Sequence, residues 1–277
     1  LPKLRARSVL FAALSAPSTP LRRSPCPGRA PSSLGRMFWN TATRFVATKL
    51  NYLTTQVPPP PREEDSPKRK VLLVHAHPIE DSFSTALADA VEAGARDGGH
   101  SVRRRSLYKE NFQPALTAKE RSVYMDASGG TARLTREVKS HLEDLRWCDS
   151  LVFVYPTWWF NLPAMLKGYF DRTFVPGADC AWDFPKQQPG ELVASNGLVP
   201  GLTNVKRIMG VSTYGASRKI TFLAGDNGRN TIGTAIRSNF APECTCLWLA
   251  LYNLDFCSQS ERQAFVDSVR RVVRDEF

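Results

Sequence analysis

Val71–Ala76 reads VLLVHA, a nearly unbroken apolar run without the polar alternation of a half-exposed strand. A strand needs such a run when helices cover both faces of its sheet, as they do in parallel α/β folds. Further strand patterns follow: HSVRRRSL at 100–107 after the Gly98-Gly99 breaker, SLVFVY at 150–155, VKRIMGVST at 205–213 and CTCLWLAL at 244–251. Helical patterns separate them over Phe83–Arg96, Thr131–Arg146, Pro163–Phe174, Arg229–Phe240 and Ser260–Phe277. Parallel neighbours need crossover helices. The alternation therefore predicts a three-layer α/β fold over residues 70–277, a doubly wound five-stranded parallel sheet. A loop-rich insertion is expected from Pro176 to Gly201.

In such a sheet a ligand binds beyond the carboxyl ends of the strands, where the winding reverses. The turns after the first, third and fourth strands are the candidates. The first, HAHPIEDSFS, runs into a helix whose first N–H groups lack internal acceptors and favour a phosphate. Ser82, Ser84 and His77 can add donors; alternatively Asp81 or Ser82 caps the helix and His77 is a turn residue. The second, around Pro156–Pro163, sets Trp158, Trp159 and Phe160 at a strand end, which suits a planar ligand or a dimer patch. The third, STYGAS, combines hydroxyls with a glycine that permits close backbone approach.

Two segments carry a family resemblance: VLLVHAHPIEDSFS and, more specifically, LVFVYPTWWFNLPAMLKGYFDRTFVPG. Across about 70–277 the chain resembles the flavodoxin-like NAD(P)H:quinone oxidoreductases, in particular their bacterial-type members. The resemblance implies a flavin cofactor, FAD in preference to FMN. His77, Ser82, Phe83 and Ser84 match positions around the phosphates. Pro156, Thr157, Trp158, Trp159 and Phe160 match the loop that holds the isoalloxazine ring, and Ser212, Thr213, Tyr214 and Gly215 the loop at its other edge. It also implies NAD(P)H as reductant, a quinone-like acceptor, ping-pong hydride transfer and a pocket completed across a homodimer, where Trp182 or Phe184 could cover a neighbour's flavin.

One departure concerns catalysis. The mammalian branch places a Tyr and a His after the fourth strand to stabilise charge on reduced flavin, the His just before a Gly-Asp pair. The matching pair here, Gly225-Asp226, follows Ala224, and no histidine lies beyond His141. Tyr214 is the candidate donor in its place. Of the other histidines, His75 reads as a satisfied core residue, His100 and His141 as surface residues; Arg103–Arg105 reads as a solvated strand edge.

The N-terminal region has a different composition. Thirteen of the 37 Lys/Arg but three of the 26 Asp/Glu precede Val71, so +10 of the net +11 belongs there. No acidic residue occurs before Glu63, and Arg, Ser, Ala and Pro dominate, as in an organelle transit peptide. Residues 1–69 are therefore expected to be a basic extension, transit-like or assembly-docking. It would be mitochondrial in preference to plastid, with an amphipathic helix over about 37–57 and the stiff linker VPPPPREEDSPKRK after it. Contact with other protein subunits, anionic lipid or RNA would run through this extension. No transmembrane helix is expected.

The six cysteines show neither Cys-x-x-Cys nor His spacing for a metal, and the near-neutral remainder argues against nucleic-acid binding by the folded part. Two functions stand: a flavin-dependent NAD(P)H:quinone oxidoreductase, or an accessory subunit of a large mitochondrial assembly, a respiratory complex or mitoribosome, that keeps the fold with little or no activity.

Overall fold

The computed structural model describes residues 67–184 and 199–277. The expected helix over about 37–57, most of the extension and residues 185–198 of the insertion lie outside the described residues. Strands β1 (Lys70–His75), β2 (Ser101–Ser106), β3 (Ser150–Pro156), β6 (Arg207–Thr213) and β7 (Thr245–Leu251) form one sheet in the order β2-β1-β3-β6-β7, and every pairing is parallel. This is the predicted doubly wound sheet. Within the insertion, β4 (Trp182–Asp183) pairs antiparallel with β5 (Val199–Pro200).

Both faces of the sheet are covered. Helix α1 (Phe83–Asp97) and the C-terminal α7 (Gln259–Asp275) pack on Val71, Leu73, Val152, Val154, Met209 and Val211. Helices α3 (Arg136–Trp147) and α4 (Ala164–Thr173) cover Leu72, Val74, Leu151, Phe153, Tyr155 and Ile208. Odd and even positions of one strand thus enter opposite cores, which is why the strand sequences do not alternate. Gly94 permits the close approach of α1 and α7: a Cβ there would meet the Arg270 carbonyl oxygen at 2.3 Å.

The short helix α2 (Ala118–Ser122) begins with a capping box of Thr117 and Glu120. Buried Arg172 of α4 ties it down, donating to Glu120 at 2.6 Å and to Glu137 of α3 at 2.5 Å.

Several sequence expectations change. The helix expected from Thr131 starts at Arg136, because Thr135 caps it and Ala127–Arg133 turns as 3-10 with Gly130 at φ 48°. In place of a helix over Arg229–Phe240 the chain makes one α turn, α6 (Asn227–Asn230), then a π segment (Thr231–Ile236) and a 3-10 turn (Arg237–Asn239). Side chains compete for its carbonyls: Thr234 donates to Asn230, and Asn239 to Ala235 and Ile236.

His100 and His141 are buried, not on the surface. His100 Nδ1 accepts from Arg69 N–H at 3.2 Å, and His141 packs edge-on against Phe112 and Tyr169 at ring distances of 5.0 and 5.4 Å. Arg103–Arg105 do lie on an edge strand, but as ion-paired groups. Arg103 and Arg105 both reach Asp144 of α3, and Arg104 reaches Asp89 of α1.

Candidate functional site

The strand order reverses between β1 and β3, and the three candidate loops meet at this carboxyl edge. After β1, Ser82 is the N-cap of α1: its hydroxyl accepts from Thr85 N–H at 3.1 Å. This leaves Phe83 and Ser84 N–H without an acceptor one turn back in the helix. The Ser84 hydroxyl turns inward, 3.3 Å from His75 Nε2, so only its backbone is offered to a ligand. His77 Nδ1 lies 3.1 Å from the Ile79 amide nitrogen. It lies equally close, 3.1 Å, to the Ile79 carbonyl oxygen, so the ring is held in place by both backbone groups of Ile79.

After β3, Trp158 and Asn161 exchange both backbone hydrogen bonds, at 3.2 and 3.0 Å, around Trp159 and Phe160. Those two residues have φ of 52° and 57°, the pattern of a type I′ turn. Such turns favour Asn and Gly; two aromatic residues there carry strain. The result is a presented tip: Trp159 is 94% exposed and Trp158 41%. The N–H groups of Trp159 and Phe160 make no backbone bond among the described residues. The Trp158 ring lies 6.2 Å from that of His77, so the first two loops adjoin.

The third loop is joined to the second. Thr157 N–H donates to Thr213 O at 2.8 Å, and the Thr157 hydroxyl to that of Ser212 at 2.9 Å. Ser212 in turn donates to Tyr155 O at 2.9 Å. Ser212 and Thr213 are buried, and the Ser212 hydroxyl and the Thr213 carbonyl tie the two loops together. Tyr214 is 2% exposed, its ring stacks on Tyr252 at 4.7 Å, and its hydroxyl donates inward to Asp226 at 2.9 Å. The Tyr214 hydroxyl, the expected donor toward the ligand, is thus engaged by Asp226. Ala224 adds no donor, and around it Ile220 and Leu223 form an exposed apolar lip.

Burial pushes the Tyr214 phenol and the Asp226 carboxyl up, the latter against the pull of the Tyr214 hydroxyl and the Arg229 charge. Burial, with Arg104 nearby, lowers His75 to about 4, so it is neutral at pH 7.

Beside the first loop a groove of about 830 Å³ runs between α1 and β2. Its carboxylates, Glu80, Asp89, Glu92 and Glu110, are paired with Lys109, Arg104 and Arg105. His77, Pro78 and Thr85 line it too, so the groove adjoins the α1 N-terminus, which is suited to seat an anion. Asp226 and Asn227 were not picked out as functional from sequence. Their only sequence signal was the Gly-Asp pair itself. No helix among the described residues is long and apolar enough to cross a membrane, and none of their His, Cys, Asp and Glu side chains cluster as a metal site.

A family profile described as flavodoxin-like fold matches residues 69–235. An uncharacterized NAD(P)H oxidoreductase of Escherichia coli is 37% identical over 108 residues, covering 39% of this chain and 54% of that protein. NAD(P)H dehydrogenase (quinone) 1 of Rattus norvegicus is 28% identical over 121 residues, 39% of this chain and 44% of its own length. The matched region is thus about half the length of these curated relatives. Among solved structures, an NAD(P)H:quinone oxidoreductase from Methanothermobacter marburgensis superposes with a TM-score of 0.60 at 21% identity, over 75% of this chain and 96% of that one, and shows the shared fold.

Proposed function

We propose, from the premise that this chain belongs to the flavodoxin-like family, that it is a flavin-dependent oxidoreductase moving hydride from NAD(P)H to a quinone-like acceptor. The observation that carries the reading is the presented loop tip: an exposed Trp pair with two unbonded N–H groups, at the switch point and beside a helix N-terminus. A planar ring with a polar edge and a phosphate tail fits that set. Phe83 and Ser84 N–H and His77 Nε2 would hold phosphate. Trp159 and Phe160 N–H would meet the ring's polar edge while the indoles cover its face.

A bound flavin would supply a ring able to take hydride from NAD(P)H and give it to the acceptor. The protein's part is orientation and exclusion of water. FAD is proposed over FMN on the resemblance alone. A second copy of the chain would cover the exposed Trp159, Leu223 and Phe256. Purified protein should turn yellow with FAD or FMN, and NADH or NADPH should bleach it without oxygen. A colourless protein that rejects both flavins overturns the proposal.

A second reading, an accessory subunit of a mitochondrial assembly, draws on two observations. The Tyr214 hydroxyl is engaged by Asp226, and +10 of the net +11 charge falls in the first seventy residues. Here the protein would bind flavin yet turn over NAD(P)H no faster than free flavin does.

A further inference from the structure

Behind the candidate site, the segment Gly225–Arg229 touches its second and third loops. Asp226 sits in the left-handed region, φ 45° and ψ 52°, which Asp tolerates better than most residues. It is 7% exposed, and its backbone N–H donates to Thr221 O at 3.1 Å. Its carboxylate accepts the Tyr214 hydroxyl of the third loop. The next residue, Asn227, donates its N–H to Phe160 O of the second loop at 3.0 Å. Tyr214 N–H donates to Leu251 O, and Leu254 N–H to Tyr214 O, so the end of β7 is held too.

The Phe160 carbonyl belongs to the turn whose positive-φ residues carry strain, and a strained turn persists only where its surroundings fix it. Asn227 N–H is such a fixture, and Asp226 sets where Asn227 stands. We propose that Asp226 is a positioning residue that clasps the second and third loops together and so sets the shape of the flavin cradle. This rests on the flavin reading given above. The carboxylate touches no ligand; it acts through Tyr214 on one side and through the backbone to Phe160 on the other.

The test uses the full chain with D226A, D226N, Y214F and the double variant Y214F/D226A. Amide hydrogen exchange without flavin reads the clasp directly, and fluorescence titration with FAD and with FMN reads the cradle. D226A should speed exchange in both 157–161 and 213–216. D226A and Y214F should each weaken flavin binding about 3- to 10-fold, the loss expected for one buried hydrogen bond. The double variant should be no weaker than D226A, since D226A already removes the Tyr214 contact along with the attraction to Arg229. D226N keeps an acceptor oxygen for Tyr214 and tolerates the left-handed backbone but drops the charge facing Arg229, so its loss should fall between wild type and D226A.

Unchanged exchange in the 157–161 turn overturns the clasp. So does D226N as impaired as D226A, or losses that add in the double variant. If D226A fails to fold, Y214F carries the same exchange test. Should the wild type refuse both flavins, the proposed function falls while the exchange data still decide the clasp.

Discussion

His75 and His141 show what a single buried imidazole does to this fold. Burial lowers both to about 4, helped by Arg104 at His75 and by Arg105 at His141. Between pH 6.5 and 4 the unfolded chain binds protons that the native state refuses, so stability falls as pH drops through that window and is level above it. Each histidine accounts for up to about 3 kcal/mol of that fall. Urea unfolding at pH 7.5, 6 and 5 should show it, and His141→Phe should remove about half of the slope, His75 keeping the rest, because His141 Nδ1 has no hydrogen-bond partner among the described residues to lose. A wild-type stability that does not change between pH 7.5 and 5 refutes this account. The burial of His141 was legible: with Val138, Leu142 and Leu145 it keeps the i, i+3, i+4, i+7 spacing of an inward face. The polar composition of that helix obscured it. The Tyr214–Asp226 bond was not legible, since it depends on which way a side chain turns after its strand ends.

At the scale of elements, the buried strands were readable because parallel pairing under two helical layers forces continuous apolar sequence. The Trp158–Asn161 turn was not, because its aromatic centre contradicts the Asn-Gly chemistry that marks such turns. The segment over 231–236 escaped for a related reason: Thr and Asn side chains take backbone acceptors that the 3.6-residue pattern assumes are engaged in an α-helix. A turn that breaks local rules at a site is a place where stability has been given up for function. Trp159→Gly removes the steric cost at φ 52° and should raise unfolding stability by about 1 kcal/mol. It also removes the exposed indole, so flavin affinity should fall even as the melting temperature of the flavin-free protein rises. Loss of both together would show that the indole packs for stability and refute the trade-off.

For the whole molecule, charge and core are separated along the sequence. Both hydrophobic clusters are built from residues between Val71 and Phe277, whereas nearly all the net charge precedes Val71. A division of labour is expected to follow, with the proposed flavin site served by the folded part and attraction to an anionic surface by the extension. Deleting residues 1–68 tests the division. The shortened chain should keep flavin affinity within about twofold, because the deletion removes none of the three loops and a twofold change is only about 0.4 kcal/mol. Binding of the full chain to anionic vesicles or RNA should weaken steeply with added salt, since exposed charges are screened within about 8 Å at 0.15 M. The shortened chain, near neutral, should show neither the binding nor the salt dependence. If it instead loses flavin binding, the extension belongs to the site and the separation is wrong. If it keeps flavin and NAD(P)H turnover but leaves a mitochondrial assembly that the full chain joins, the enzyme and the recruited subunit are one molecule with two separable parts.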